Sequence, residues 1–298
     1  MTPNSLISPE HSAFIADLLS RCHFPEPGTH VSCAVSGGAD SMALMVLSYA
    51  HGLVVTAEHV DHQIRHDSHR DVEVITPIAQ QLSIPLVAHV VTVKAGPNLE
   101  ARAREARYDA LPIGVLTGHT ADDQAETVLM NLLRSAASQG LGAMRPDTRR
   151  PLLGLRRSET HALCERLGIT PVADETNTDP AFVRNRIRHD LLPLMCDISQ
   201  RDLVPMLTRT ADIIRGDNDL LEELASSIDP TDALALSRAP LPLARRAVRQ
   251  WLARPYPPDL ATVERVLAVA RGEALACDIG QNREIRRSKQ RLTLRHLG

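Results

Sequence analysis

The strongest constraint in this sequence is an alternation in its first half. Short apolar runs of strand length alternate with longer segments of helical period. HVSCAV (30–35), LVVTAEHV (53–60), PLVAHVVTV (85–93) and IGVLT (113–117) read as strands; 42–50, 68–82, 98–111 and 121–134 read as helices. Buried runs of this kind with helical crossovers predict a parallel sheet covered on both faces. Such a sheet binds ligands beyond the carboxyl ends of its strands. Three unusual polar clusters, 36–41, 59–62 and 119–126, each follow such an end, so topology alone directs them to one crevice.

The first cluster, Ser36-Gly37-Gly38-Ala39-Asp40-Ser41, opens a helix. Two glycines allow a tight turn with its N–H groups close to an anion, and the helix start adds partial positive charge. The Ser hydroxyls suit phosphate oxygens and Asp40 suits Mg²⁺. A plain strand-to-helix turn with an Asp/Ser cap is the structural alternative. Neither GxxxxGK[ST] nor GxGxxG is present. The second cluster, His59-Val60-Asp61-His62, reads as a nucleotide-facing turn, a metal site or polar loop. The third, HTADDQAE, places Asp122 and Glu126 four residues apart on a helix start, with Asp123 beside them. Three acids suit the helix dipole; they equally suit Mg²⁺ or an ammonium group.

Two further segments carry charge. Helix 98–111 holds Glu100 and Arg104 at i, i+4, an ordinary ion-pair spacing, with Arg104 also able to reach a crevice. DETNTDPAFVRNRIR (174–188) precedes a helix over 181–195 on which Arg184 and Arg188 share a side, either as a solvated face or as a grip on phosphates.

Composition matters at three points. With only Trp 1, Tyr 3 and Phe 3, the core must be aliphatic. Lys94 and Lys289 are the only lysines, so any phosphate site leans on Arg, backbone N–H groups and helix ends. Net charge is −3, yet residues 180–298 carry 19 basic against 15 acidic side chains, and 280–298 six against one. That basic tail suits a polyanion or a solvated hairpin. Cys22, Cys33, Cys164, Cys196 and Cys277 are scattered without CxxC spacing and read as reduced, cytosolic thiols. No signal peptide and no stretch of membrane-spanning length are expected. Residues 1–197 are expected to form one domain. Residues 198–298 are expected to form a second, smaller and mostly helical, with helices near 201–226, 240–254 and 258–271 and a terminal hairpin.

SGGADS, HVDH, EARAREARY, GHTADDQAET, RPLL and DETNTDPAFVRNRIR occur in this order over residues 30–195. Together they resemble the N-type ATP pyrophosphatases, and more narrowly the tRNA(Ile)-lysidine synthetases in their short form. The resemblance implies an adenine nucleotide alpha hydrolase-like α/β fold and a ligase that uses ATP and Mg²⁺. Its partners would be free L-lysine and a tRNA(Ile) with a CAU anticodon. It also implies roles. Ser36, Gly37, Gly38, Ala39, Asp40, Ser41, His59 and Arg104 would bind ATP, with Asp40 holding the metal. Asp40, His119, Asp122, Asp123 and Glu126 would serve catalysis, with the acids' shares unassigned. Arg134, Asn177, Arg184, Asn185 and Arg188 would contact tRNA, as would the C-terminal domain. Asp61 stands where many members have Asn, and Ser135-Ala136-Ala137-Ser138 replaces a Gly-rich loop. A thiolase-like member of the superfamily and a non-catalytic nucleotide- or RNA-binding protein are the rivals; isolated cysteines argue against the first. A homodimer is left open.

Overall fold

A computed structural model describes residues 6–61, 69–91, 102, 106, 109–172 and 179–297. The chain forms two compact units, Met1–Ala211 and Asp212–Gly298.

The first unit begins with α1 (Pro9–Leu19), which has Pro in its first turn and buries Ile15 and Leu18; Ser8 precedes it without a side-chain capping bond. Next come β1 (His30–Ala34), α2 (Ala39–Ala50), β2 (Val54–Asp61), α3 (His69–Gln81) and β3 (Leu86–Val90). The three strands are parallel in the order β1-β2-β3, with Cys33 opposite Ala57 and Ala57 opposite Leu86. α2 is apolar on all sides, and Met42 through Leu47 are 0–1% exposed. A helix of that composition is stable only inside a core. Here it packs with Cys33, Val35, Val55, Ala57, Leu152, Leu155 and Leu163, an almost wholly aliphatic core.

The expected fourth strand shrinks to one bridge. Leu116 pairs with Cys33 in parallel sense, through Ala34 N–H to Leu116 O (2.9 Å) and Leu116 N–H to Ser32 O (2.8 Å). Pro112 lacks a donor, Gly114 sits at φ 84°, and Ile113 is fully exposed, so pairing cannot extend backwards. The bridge still fixes the topology. β1 has β2 on one side and Leu116 on the other, and the crevice opens where the order reverses.

α4 (Ala121–Leu133), α5 (Ser138–Leu141) and α6 (Arg157–Arg166) follow. The single helix expected over 181–195 is interrupted. It comprises α7 (Val183–Arg186), a π-helical turn (Ile187–Leu191) and α8 (Leu192–Ser199). Pro193 has no N–H for the preceding turn, and the wider i→i+5 pattern, with Leu192 N–H on Ile187 O, absorbs the gap. Helix 98–111 lies largely outside the described residues.

α9 (Val204–Ser226) runs from the first unit into the second. There α10 (Ala233–Arg238), α11 (Leu241–Trp251) and α12 (Leu260–Arg271) precede β4 (Ala276–Gly280), β5 (Arg283–Ser288) and β6 (Arg291–His296). Three antiparallel strands replace the expected hairpin. Gln281 and Asn282 at φ 56° and 54° make the first turn. The second, at Lys289 (φ 55°), carries neither Gly nor Asn and so leaves no turn signal in the sequence. Val248, Val266, Ile285 and Leu292 lie at the centre of this unit's core. No described helix is long and apolar enough to cross a membrane.

Candidate active site

Beyond β1 the chain turns at Gly37, whose φ of 79° favours glycine. A Cβ there would also meet Val172 Cγ2 at 3.0 Å. Ser41 braces the turn: its Oγ accepts from Ser36 N–H (3.0 Å) and donates to Gly38 O (2.8 Å). Gly38 occupies the N-cap position of α2. A helix start leaves its first N–H groups without intrahelical acceptors, so this turn is built to receive an anion.

Asp40, in the first turn of α2, is half-buried. Burial pushes its carboxyl above the ordinary range, against the pull of the Thr160 hydroxyl and the Arg157 guanidinium. Thr160 Oγ1 donates to Asp40 Oδ1, and Arg157 Nε lies 3.5 Å from Oδ2. His59 is 1% exposed at the end of β2. One ring nitrogen, Nδ1, lies 2.9 Å from Val35 O, and Nε2 has no partner among the described residues.

The segment 116–120 crosses directly over the start of α2. A Cβ on Gly118 would stand 2.6 Å from Asp40 O and 3.2 Å from Ser41 N. Gly118→Ala is therefore expected to force the two segments apart. The cost should be about 1–3 kcal/mol of stability, with activity falling roughly 10²-fold through misplacement. Thermal unfolding and an activity assay measure the two, and an alanine variant matching the parent in each would refute this close approach.

The acids of α4 divide differently from the expectation that paired Asp122 with Glu126. Asp123 reaches back to Thr120 N–H (2.8 Å) through Oδ2, half of a capping box. Its Oδ1 accepts from Arg157 Nη2 (3.0 Å) and Arg184 Nη2 (3.2 Å), with Arg188 Nη2 at 3.4 Å. Glu126, 0% exposed, accepts through Oε1 from Arg157 Nη1 (3.1 Å) and Arg188 Nε (2.7 Å). Its Oε2 accepts from Arg184 Nε (2.8 Å) and Arg188 Nη2 (3.1 Å). Asp122 faces another way. It accepts from Arg156 Nε (3.1 Å) and from Arg157 N–H (2.8 Å), and Arg156 also pairs with Asp202. Burial alone would raise the Asp122 and Asp123 carboxyls, but the arginines outweigh it and hold both below the usual range. His119 Nδ1 lies 2.9 Å from Thr117 Oγ1.

Arg157 was not foreseen as a site residue. It joins Asp40 of the glycine turn to Asp123 and Glu126 of α4. Its only sequence signal is the Arg156-Arg157 pair after RPLL, because nothing in spacing shows that α6 packs on α2. Arg184 and Arg188, expected to grip phosphates, engage these carboxylates. Asn185 is buried and donates through Nδ2 to Asp179 O (2.9 Å). Arg134 is exposed at the far end of α4, away from the acids. Arg104 and Asn177 lie outside the described residues.

The site thus sets an anion-binding helix start beside a buried carboxylate pair matched by arginines. Residues 11–195 match the PP-loop domain family. The tRNA(Ile)-lysidine synthase of Nocardia farcinica is 37% identical, covering 92% of this chain and 94% of the relative. That of Rhodococcus erythropolis is 42% identical over 76% of this chain and 75% of its own length. Among solved structures, the U34-tRNA thiolase NcsA from Methanococcus maripaludis superposes with a TM-score of 0.50 at 14% identity, covering 69% of this chain and 79% of that one, which speaks to fold alone. With the family match spanning residues 11–195 and one relative aligned over more than nine-tenths of both chains, the chain belongs to the PP-loop family and, within it, to the tRNA(Ile)-lysidine synthases.

Proposed function

We propose that this protein joins the ε-amine of L-lysine to C2 of the wobble cytidine in a CAU-anticodon tRNA(Ile), releasing pyrophosphate and AMP. One observation carries the reading: Arg157 ties the anion-binding turn to the Asp123–Glu126 pair, so the two half-reactions share one crevice.

The chemistry makes two demands. The cytosine C2 oxygen is a poor leaving group. It first attacks the α-phosphate of ATP, forming an O–P bond as the bond to pyrophosphate breaks. The turn Ser36–Ser41 receives the departing diphosphate on backbone N–H groups and hydroxyls. The lysine amine, having lost a proton, then attacks C2, and the C2–O bond breaks to release AMP. Asp123 and Glu126 are the carboxylates placed to hold the amine's charge, and Asp122 stands aside with Arg156. His59, whose buried Nε2 has no partner among the described residues, is proposed as a nucleotide contact near the same strand end.

Mg²⁺ fits this site in a limited way. Among the described residues no group of three or more His, Cys, Asp or Glu side chains could hold a metal. A phosphate-borne Mg²⁺ needs only one or two carboxylates, and Asp40, whose ionised form is costly where it lies, is suited to that. When bound, the ion would offset negative charge on the phosphates.

Thiolase chemistry fits less well. Cys33 and Cys164 are buried, and burial pushes both thiols up to about 12. Arg134, Asn177, Asn185 and the basic residues of 280–298 are proposed on the tRNA side, and residues 198–298 as a tRNA-contacting region. Incubation with ATP, Mg²⁺, lysine and the CAU tRNA is expected to yield AMP and lysine-modified tRNA in equal amounts. Folded protein that yields neither would overturn the assignment.

A further inference from the structure

The carboxylates assigned to the amine have no vacant oxygen. Both Glu126 oxygens accept from guanidinia. Asp123 Oδ1 faces three of them, and Oδ2 is held by Thr120. An ammonium group makes the same kind of bonds to the same atoms, so it can enter only as a guanidinium leaves.

The three arginines are not equally free to leave. Arg157 begins α6, and its N–H is fixed by Asp122. Its side chain also faces Asp40. Arg184 and Arg188 have no acidic partners among the described residues other than Asp123 and Glu126. Their side chains keep 24% and 22% exposure, whereas the Glu126 side chain beneath them has 1%. Both belong to the segment that combines α7 with the π-helical turn. A long guanidinium side chain leaves such a partner by changing rotamer, with no change in the backbone.

We infer that Arg184 and Arg188 are exchangeable occupants of the amine site: in the free protein they hold Asp123 and Glu126, and tRNA phosphates draw them off so that the lysine ammonium takes their place. This rests on the proposed function, and it adds an order of binding. Arg makes bidentate bonds to phosphate as readily as to carboxylate, so the transfer is an exchange of like partners. Lysine and tRNA then bind with positive coupling, and each strengthens the other by the same factor.

Titration calorimetry with L-lysine, ATP omitted, tests this on the whole protein with and without the CAU tRNA. The tRNA is expected to tighten lysine binding at least about tenfold, in the usual range of such couplings. Arg188→Gln is expected to tighten it by a similar factor without tRNA and to shrink the tRNA effect. Arg188→Lys, which keeps the charge but not the fork, should fall between. Equal lysine affinity with and without tRNA overturns the inference. So does weaker lysine binding in Arg188→Gln, which would make Arg188 part of the amine pocket. If that variant fails to fold, the parent protein and Arg188→Lys decide. Lysine transfer by the parent protein is assayed separately. A protein that makes lysidine with tRNA-independent lysine affinity loses only this inference, whereas one that makes none loses the function.

Discussion

Asp40→Ala is expected to cut ATP-dependent AMP release by at least about 10²–10³-fold, the scale of losing one preorganised charge contact in a phosphoryl-transfer site. The same change should leave the protein as stable as the parent or more so. Burial raises the Asp40 carboxyl above its ordinary range, which means that its ionised form costs native stability at neutral pH. Arg157 keeps Asp123 and Glu126 when Asp40 is removed. Paired measurements of AMP release and melting temperature separate the two effects. Near-normal turnover would remove Asp40 from the mechanism, and a large drop in melting temperature would make its role structural.

For Glu126 the expected signs are reversed. Glu126→Ala removes the buried partner of Arg157, Arg184 and Arg188, leaving Arg184 and Arg188 with Asp123 alone and Arg157 with Asp123 and Asp40. Breaking a buried pair from one side costs about 3–5 kcal/mol, because uncompensated charge remains behind. In a unit of about 200 residues that corresponds to a fall in melting temperature of roughly 6–20 °C. Glu126→Gln, similar in shape but neutral, should lose nearly as much. Both variants should also fail to use lysine at concentrations that saturate the parent. A melting temperature within about 2 °C of the parent's would show that the network does not hold the fold together. The Asp40 and Glu126 results together would separate the site by cause, one carboxylate kept for chemistry at a cost in stability and the other required for both.

Much of the fold was legible because it is local. β1 with the glycine turn, the all-apolar α2, and α4 with its acidic start each follow from periodicity and capping within about fifteen residues. Where local signals misled, a nearby backbone constraint was the reason. Pro112 and Gly114 cut the fourth strand to a bridge, Pro193 broke the helix after Arg184 into a π turn, and Lys289 made a turn without a turn residue.

The site divides along the same line. Residue order alone named the glycine turn, Asp40, Asp122, Asp123, Glu126 and the arginines of 184–188, and parallel topology alone sent the three polar clusters 36–41, 59–62 and 119–126 to one crevice. Tertiary structure decided the partners. It set Asp123 rather than Asp122 beside Glu126, brought in Arg157 from α6, and turned Arg184 and Arg188 onto carboxylates. Sequence spacing reports neighbours along one helix, three or four residues apart. A buried charge is matched by whatever element packs against it, and here those partners lie 31 to 65 residues away along the chain.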